Sequence, residues 1–165
     1  MNIFLSYRRE DSRPFTERIY DRLVESFGVD HVFKDVDRIR PGTSFAEVLE
    51  SELDRSDVML VIIGKQWATI TAKDTQQPRL NNPDDWVRLE VERGLSREDV
   101  RVIPVLVDGA RLPARDDLPS SLHDLLGRQI AEVRYDPDFH RDMDRLIEAL
   151  LPPPPPEPAP KRPPW

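Results

Sequence analysis

The chain has 165 residues, a formal charge of −7 and 17 prolines, nine of them within the last fourteen positions. That length supplies one folded domain, residues 1–151, followed by a proline-rich tail, 152–165, and leaves no room for a second domain. Cysteine is absent, which excludes disulfide scaffolding, Cys-ligated zinc and thiol catalysis.

Short apolar runs alternate with amphipathic segments along the chain. Residues 2–5 read as a buried first strand. From 13 to 27 the apolar positions Phe15, Ile19, Leu23 and Phe27 repeat every four residues, a helical stripe, and Gly28 follows as a stop signal. The second strand spans 31–34. A polar loop then leads to a helix over 44–54, with Phe45, Val48, Leu49 and Leu53 on one face. Residues 57–63 form a nearly continuous apolar third strand.

A long connection, 64–83, carries Trp67, and a loop of that length points to function. At its end, Asn81-Asn82-Pro83-Asp84-Asp85 predicts an Asn cap, a proline at the first helical position and acids in the first turn. The helix runs from 83 to 96. A fourth strand over 101–107, a weak helix near 118–126, a fifth strand over 129–134 and a closing helix over 139–151 complete the pattern. Five strands and five helices in alternation predict a flavodoxin-like, doubly wound parallel sheet of order 2-1-3-4-5. In such sheets ligands sit beyond the C-terminal strand ends, near the switch point.

Without the tail the folded part holds 22 basic and 30 acidic residues, a charge of −8. Such a body repels nucleic acid and anionic lipid, so an anionic ligand needs a local basic pocket. No apolar stretch approaches membrane-spanning length and no leader pattern opens the chain, which leads to the expectation of a cytoplasmic protein. The histidines show no ligand spacing, so no metal is expected. Cations nevertheless gather after three strands: Arg8, Arg9 and Arg13 after the first, Lys34, Arg38 and Arg40 around the second, Lys65 after the third. Each alone reads as a partner for Glu10, Asp11, Asp35 or Asp37; their clustering suits a phosphate-bearing ligand.

Trp86 and Glu90, four apart, share one helix face, while Val87, Val91, Gly94 and Leu95 face the sheet and Glu92 and Glu98 face water. An indole beside a carboxylate suits a heterocycle joined to a sugar; the alternative is a packing tryptophan with a solvated glutamate. There is no G-x-G-x-x-G or Walker motif, and the aspartate and lysine of a phosphoacceptor domain are missing from the third and fifth strand ends.

Ser6-Tyr7-Arg8-Arg9, then Asp35-Val36-Asp37 leading to Pro41-Gly42, then Trp86-x-x-x-Glu90 resemble the three boxes of the Toll/interleukin-receptor (TIR) domain, with the likeness covering residues 1–151. The tryptophan and glutamate spacing is similar to that of TIR domains that cleave NAD at the nicotinamide glycosidic bond, bacterial ones among them. The resemblance implies Glu90 as the catalytic carboxylate, with Trp86, Tyr7, Arg8, Arg9, Lys34 and Phe45 around the substrate. It implies a self-association loop containing Asp35, Asp37, Arg38, Arg40, Pro41 and Gly42. NAD would then be a substrate and no true cofactor is expected; the partners would be other TIR domains and a sensing or oligomerising module joined through the tail. Two departures stand out: the stretch 67–82 is longer and more polar than in many relatives, and Arg40 replaces an acid found in some enzymatic members. The alternatives are a scaffold acting by TIR association alone and a nucleoside deoxyribosyltransferase-like enzyme, against which the Ser6 to Arg9 box argues.

Overall fold

The strand residues divide their side chains between two helical layers. In the computed structural model, which describes residues 1–34 and 41–157, five strands form one sheet in the order β2-β1-β3-β4-β5. They are β1 (Ile3–Ser6), β2 (Val32–Phe33), β3 (Val58–Ile63), β4 (Arg101–Val107) and β5 (Ala131–Val133), and every pairing is parallel. This is the expected flavodoxin-like order. Because side chains alternate along a strand, Val58, Leu60 and Ile62 of β3 face one layer while Met59, Val61 and Ile63 face the other.

The first layer packs α1 (Arg9–Phe27) and α4 (Phe139–Leu150) through Phe15, Ile19, Leu23, Phe139 and Met143. On the opposite face α2 (Phe45–Arg55) and α3 (Trp86–Ser96) bury Leu49, Leu53, Val87 and Val91. Gly94 lets α3 approach closely, since a Cβ there would lie 2.6 Å from the Met59 sulfur. Trp67, on the long connection, is fully buried in this second core.

Several boundaries differ from expectation. α1 begins at Arg9, and its backbone breaks at Ser12, which has φ −141°. Pro14 accounts for the break: it cannot donate within a helix and its ring would crowd the preceding turn, so the regular helix restarts around it, close to the expected residue 13. α3 starts at Trp86, three residues later than the Asn-Pro signal suggests. Asn82 instead accepts the Asp84 N–H in a local turn at 2.9 Å, and the cap is Asp85, which accepts the Arg88 N–H at 3.0 Å.

The weak helix near 118–126 is 3-10, Ser120–Gly127. Its buried residues, Leu122 and Leu125, are three apart, a spacing that a three-residue turn brings onto one face. The described residues therefore contain four α-helices rather than five. Residues 152–157 are exposed and belong to no helix or strand. No described helix is long and apolar enough to cross a membrane. Asp35, Asp37, Arg38 and Arg40 lie outside the described residues. Pro41 and Gly42 form an exposed turn, with Gly42 at φ +85°, a conformation that favours glycine.

Candidate functional site

Where β1 ends, its last residue and the first turn of α3 meet. Ser6 is completely buried, and its hydroxyl donates to Glu90 Oε2 at 2.7 Å. Glu90 lies one turn into α3, beside Trp86. Together they form one wall of a pocket of about 230 Å³. Tyr7, Arg8 and Arg9 line it from the exit of β1, Lys34 from the end of β2, and Phe45 from the start of α2. All seven substrate and catalytic positions named from the sequence thus gather around one cavity, at the C-terminal end of the sheet.

The Glu90 residue as a whole is half-buried and lines this cavity, but its carboxyl is closely surrounded by protein. Loss of hydration pushes its pKa up to about 8; the Ser6 hydroxyl and the Trp86 N–H favour the ionised form, Asp85 disfavours it, and Arg8 favours it more weakly. The Trp86 N–H lies near enough to favour the ionised form, although it is buried with no partner at hydrogen-bond geometry among the described residues. Arg8 Nε is in the same condition.

Two cations of the pocket, Arg8 and Lys34, are held by carboxylates. Arg8, 3% exposed, makes a bidentate pair with Asp85 at 3.1 and 2.8 Å. Its partner is thus the cap of α3, while Glu10 and Asp11, two of the nearby acids expected from the sequence, bond to Arg79 and to the Gly64 N–H. Lys34 pairs with Glu17 and lies 4.4 Å from the Tyr20 ring centroid. The Phe45 ring packs edge-on against Trp86.

Arg13 and Lys65 do not line the pocket; Arg13 points along α1, 4.0 Å from Glu17. Glu92 is not simply solvated as expected, since it pairs with Arg88 at 2.7 Å and accepts the Ser121 hydroxyl at 2.6 Å. Among the lining residues that the sequence reading left unnamed is a cation: Arg79, on the long connection, bonded to Glu10 at 3.0 Å. A polar loop without periodicity gives no signal for which of its residues folds inward. Among the described residues no group of His, Asp or Glu is arranged to hold a metal ion.

The family model for the TIR domain matches residues 3–147. The chain belongs to the TIR domain family. Solved TIR domains share its fold. Those in the structure of the activated Roq1 resistosome directly recognising the pathogen effector XopQ superpose with a TM-score of 0.68 at 17% identity, covering 91% of this chain and 99% of that one. The TIR domain of the Toll-related receptor TRR-2 from Hydra magnipapillata gives a TM-score of 0.51 at 19% identity, covering 88% and 97%. No curated protein matches the chain. At these identities the likeness speaks for the fold, and the chemistry of this TIR domain has to be argued from its own pocket.

Proposed function

We propose that this TIR domain cleaves the bond between nicotinamide and ribose in NAD, and that it does so when TIR domains associate. The observation that carries the reading is the Ser6–Glu90–Trp86 arrangement: one oriented carboxyl beside an indole, both lining the pocket at the C-terminal end of the sheet. A single carboxylate is sufficient for this substrate. The nicotinamide of NAD is a pyridinium; when the C1′–N bond breaks, the electron pair stays with nitrogen and a neutral ring departs without a proton donor, unlike an ordinary glycoside. The ribosyl group becomes oxocarbenium-like, and ionised Glu90 stabilises that charge as it develops and accepts hydrogen bonds from the ribose hydroxyls. Water then adds at C1′ and loses a proton, giving ADP-ribose; attack by an adenine nitrogen gives a cyclic product. The substrate's own positive charge draws Glu90 toward its ionised form.

The pocket, at about 230 Å³, is smaller than the roughly 300–1,000 Å³ that encloses a drug-sized ligand. It suits the nicotinamide and ribose, with the rest of the dinucleotide left for a neighbouring TIR domain to cover. Defence or signalling is the setting such an activity would serve. A second reading, a scaffold acting by association alone, draws support from the Phe45 ring, which packs against the indole that nicotinamide would use. Incubating concentrated or tethered protein with NAD, beside Glu90→Ala, separates the two. Nicotinamide release that Glu90→Ala abolishes supports the enzyme; no release from assembled protein sinks it and leaves the scaffold.

A further inference from the structure

We infer that Arg8 is a positioning residue, whose buried pair with Asp85 fixes the first turn of α3 against the end of β1 and so aims Trp86 and Glu90 into the pocket. The kinetic part of this inference rests on the NAD-cleaving reading; the structural part does not. The family resemblance would make Arg8 a contact of the dinucleotide. Its geometry here points elsewhere: both terminal nitrogens are engaged by Asp85 and the side chain is almost completely enclosed.

Asp85 does two jobs with one carboxylate. Oδ2 accepts both Arg8 Nη2 at 2.8 Å and the Arg88 backbone N–H at 3.0 Å, so the guanidinium is joined to the helix cap itself. A second tie, Ser6 to Glu90, links the same two segments. Asp85 and Glu90 are five residues apart, roughly 7.5 Å along a helix axis. One tie would leave α3 free to rotate or slide about it. Two at that separation fix both its height and its rotation, and with them the reacting carboxyl. Misplacing such a group by about 1 Å costs on the order of a hundredfold in rate.

The two members of the pair also act on Glu90 with opposite signs. Arg8 favours its ionised form and Asp85 opposes it. Among the described residues the other charged groups around the cavity are Arg9 and Glu10 at the start of α1, Lys34 at the end of β2 and Arg79 on the long connection; both single substitutions leave these in place.

The test uses Arg8→Gln, Asp85→Asn, the double variant and Arg8→Lys, the last keeping the buried charge compensated should the neutral variants fold poorly. Urea unfolding, the carboxyl NMR titration of Glu90, and kcat and KM for NAD are measured on the whole chain. Each neutral single variant is expected to lose at least about tenfold in kcat with KM changed by less than about threefold, and the double variant to lose no more than the worse single. The Glu90 titration moves to higher pH in Arg8→Gln and to lower pH in Asp85→Asn. Arg8→Lys keeps the charge but not the two-pronged geometry, so it leaves the titration near its place without restoring kcat. Additive losses in stability, titrations that move together, or an Arg8→Gln that raises KM while keeping kcat would overturn the inference. If the parent protein releases no nicotinamide, the proposed function fails by itself; the unfolding cycle and the Glu90 titration still decide whether Arg8 and Asp85 act as one unit.

Discussion

Ser6 Oγ lies 2.7 Å from Glu90 Oε2, so the last hydroxyl of β1 donates to a carboxyl one turn into α3. This bond tempers the protonation of the site, because it opposes, without overcoming, the burial that pushes Glu90 from an ordinary 4.5 up to about 8. Cleavage of NAD requires the ionised form. We therefore expect kcat/KM to rise with pH and level off above about 8. The limb in kcat should lie at lower pH, where the bound pyridinium assists ionisation. Ser6→Ala removes a group that favours the anion, so its kcat/KM limb moves to higher pH and its activity at neutral pH falls by up to about tenfold. Superimposable profiles for the two proteins would mean that Ser6 does not tune Glu90.

The same shift fixes how Glu90 affects stability. Between 4.5 and about 8 the unfolded chain releases this proton while the folded chain keeps it. The contribution of Glu90 is thus fully present below the unfolded value and is lost as pH rises through the folded one. Glu90→Gln should abolish that part of the decline, leaving a variant relatively more stable above pH 8 yet reduced at least about a hundredfold in nicotinamide release. Urea titrations at several pH values measure the first effect. Equal slopes for both proteins across the window would contradict it.

Arg79 comes to the pocket from the long connection and is only partly held, by Glu10 at 3.0 Å and the Thr71 carbonyl at 3.3 Å. Its place at the rim suits the pyrophosphate, away from the bond that breaks. Arg79→Gln should raise KM by roughly 3- to 10-fold with kcat little changed, and the difference from the parent should shrink at high salt. A fall in kcat with KM retained would place Arg79 nearer the reacting centre.

The sheet order was legible because five apolar runs interrupted by helical stripes admit few topologies, and β3, with Val58 to Ile63 all buried, is the plainest of them. The convergence of Tyr7, Arg8, Trp86 and Glu90 followed from the same order, which brings the end of β1 beside α3. The Arg8–Asp85 pair was not legible. Asp85 is 77 positions away from Arg8, and a string of residues gives every nearby acid an equal claim. The α3 start was misplaced for a related reason: Asn81-Asn82-Pro83 carries a strong local capping signal, but the pair with Arg8 selects Asp85 as the cap. Local chemistry proposed one boundary and a tertiary contact chose another.

Asp142 offers a control remote from the pocket. It is buried on α4, receives the Arg134 side chain at 2.9 and 3.0 Å and the Arg134 N–H at 2.9 Å, and so binds the last helix to the segment after β5. The Arg134 side-chain bonds hold its carboxyl below the ordinary range, with burial opposing them. Its stabilising effect is therefore present above the unfolded pKa and lost as pH falls through the folded one. Asp142→Asn should lower Tm by several degrees at neutral pH, with the difference from the parent narrowing in acid. Activity per folded molecule should be unchanged.

Gly64 connects the scaffold to the loop that carries Arg79. A Cβ at this position would stand 2.6 Å from Asp11 Oδ1, and the Asp11 carboxylate accepts the N–H groups of both Gly64 and Gln66 at 2.8 Å. A methyl group cannot enter without displacing that carboxylate, and displacement breaks both bonds at the point where β3 becomes the long connection. Burial already raises the Asp11 pKa, with these two backbone bonds opposing the rise, so the displaced group has reason to protonate or turn outward. We expect Gly64→Ala to cost roughly 1–3 kcal/mol, the usual penalty for overpacking. The origin of the penalty is open to a direct check. In an Asp11→Ala background the obstructing oxygens are gone, so adding Gly64→Ala should cost much less than it does in the parent, a coupling visible in a double-mutant cycle by urea unfolding. Equal penalties in both backgrounds would locate the strain in the Gly64 backbone instead. Because the loop begins here, Gly64→Ala should also raise KM for NAD in the direction of Arg79→Gln, and Gly64→Ala with Arg79→Gln should raise it little further.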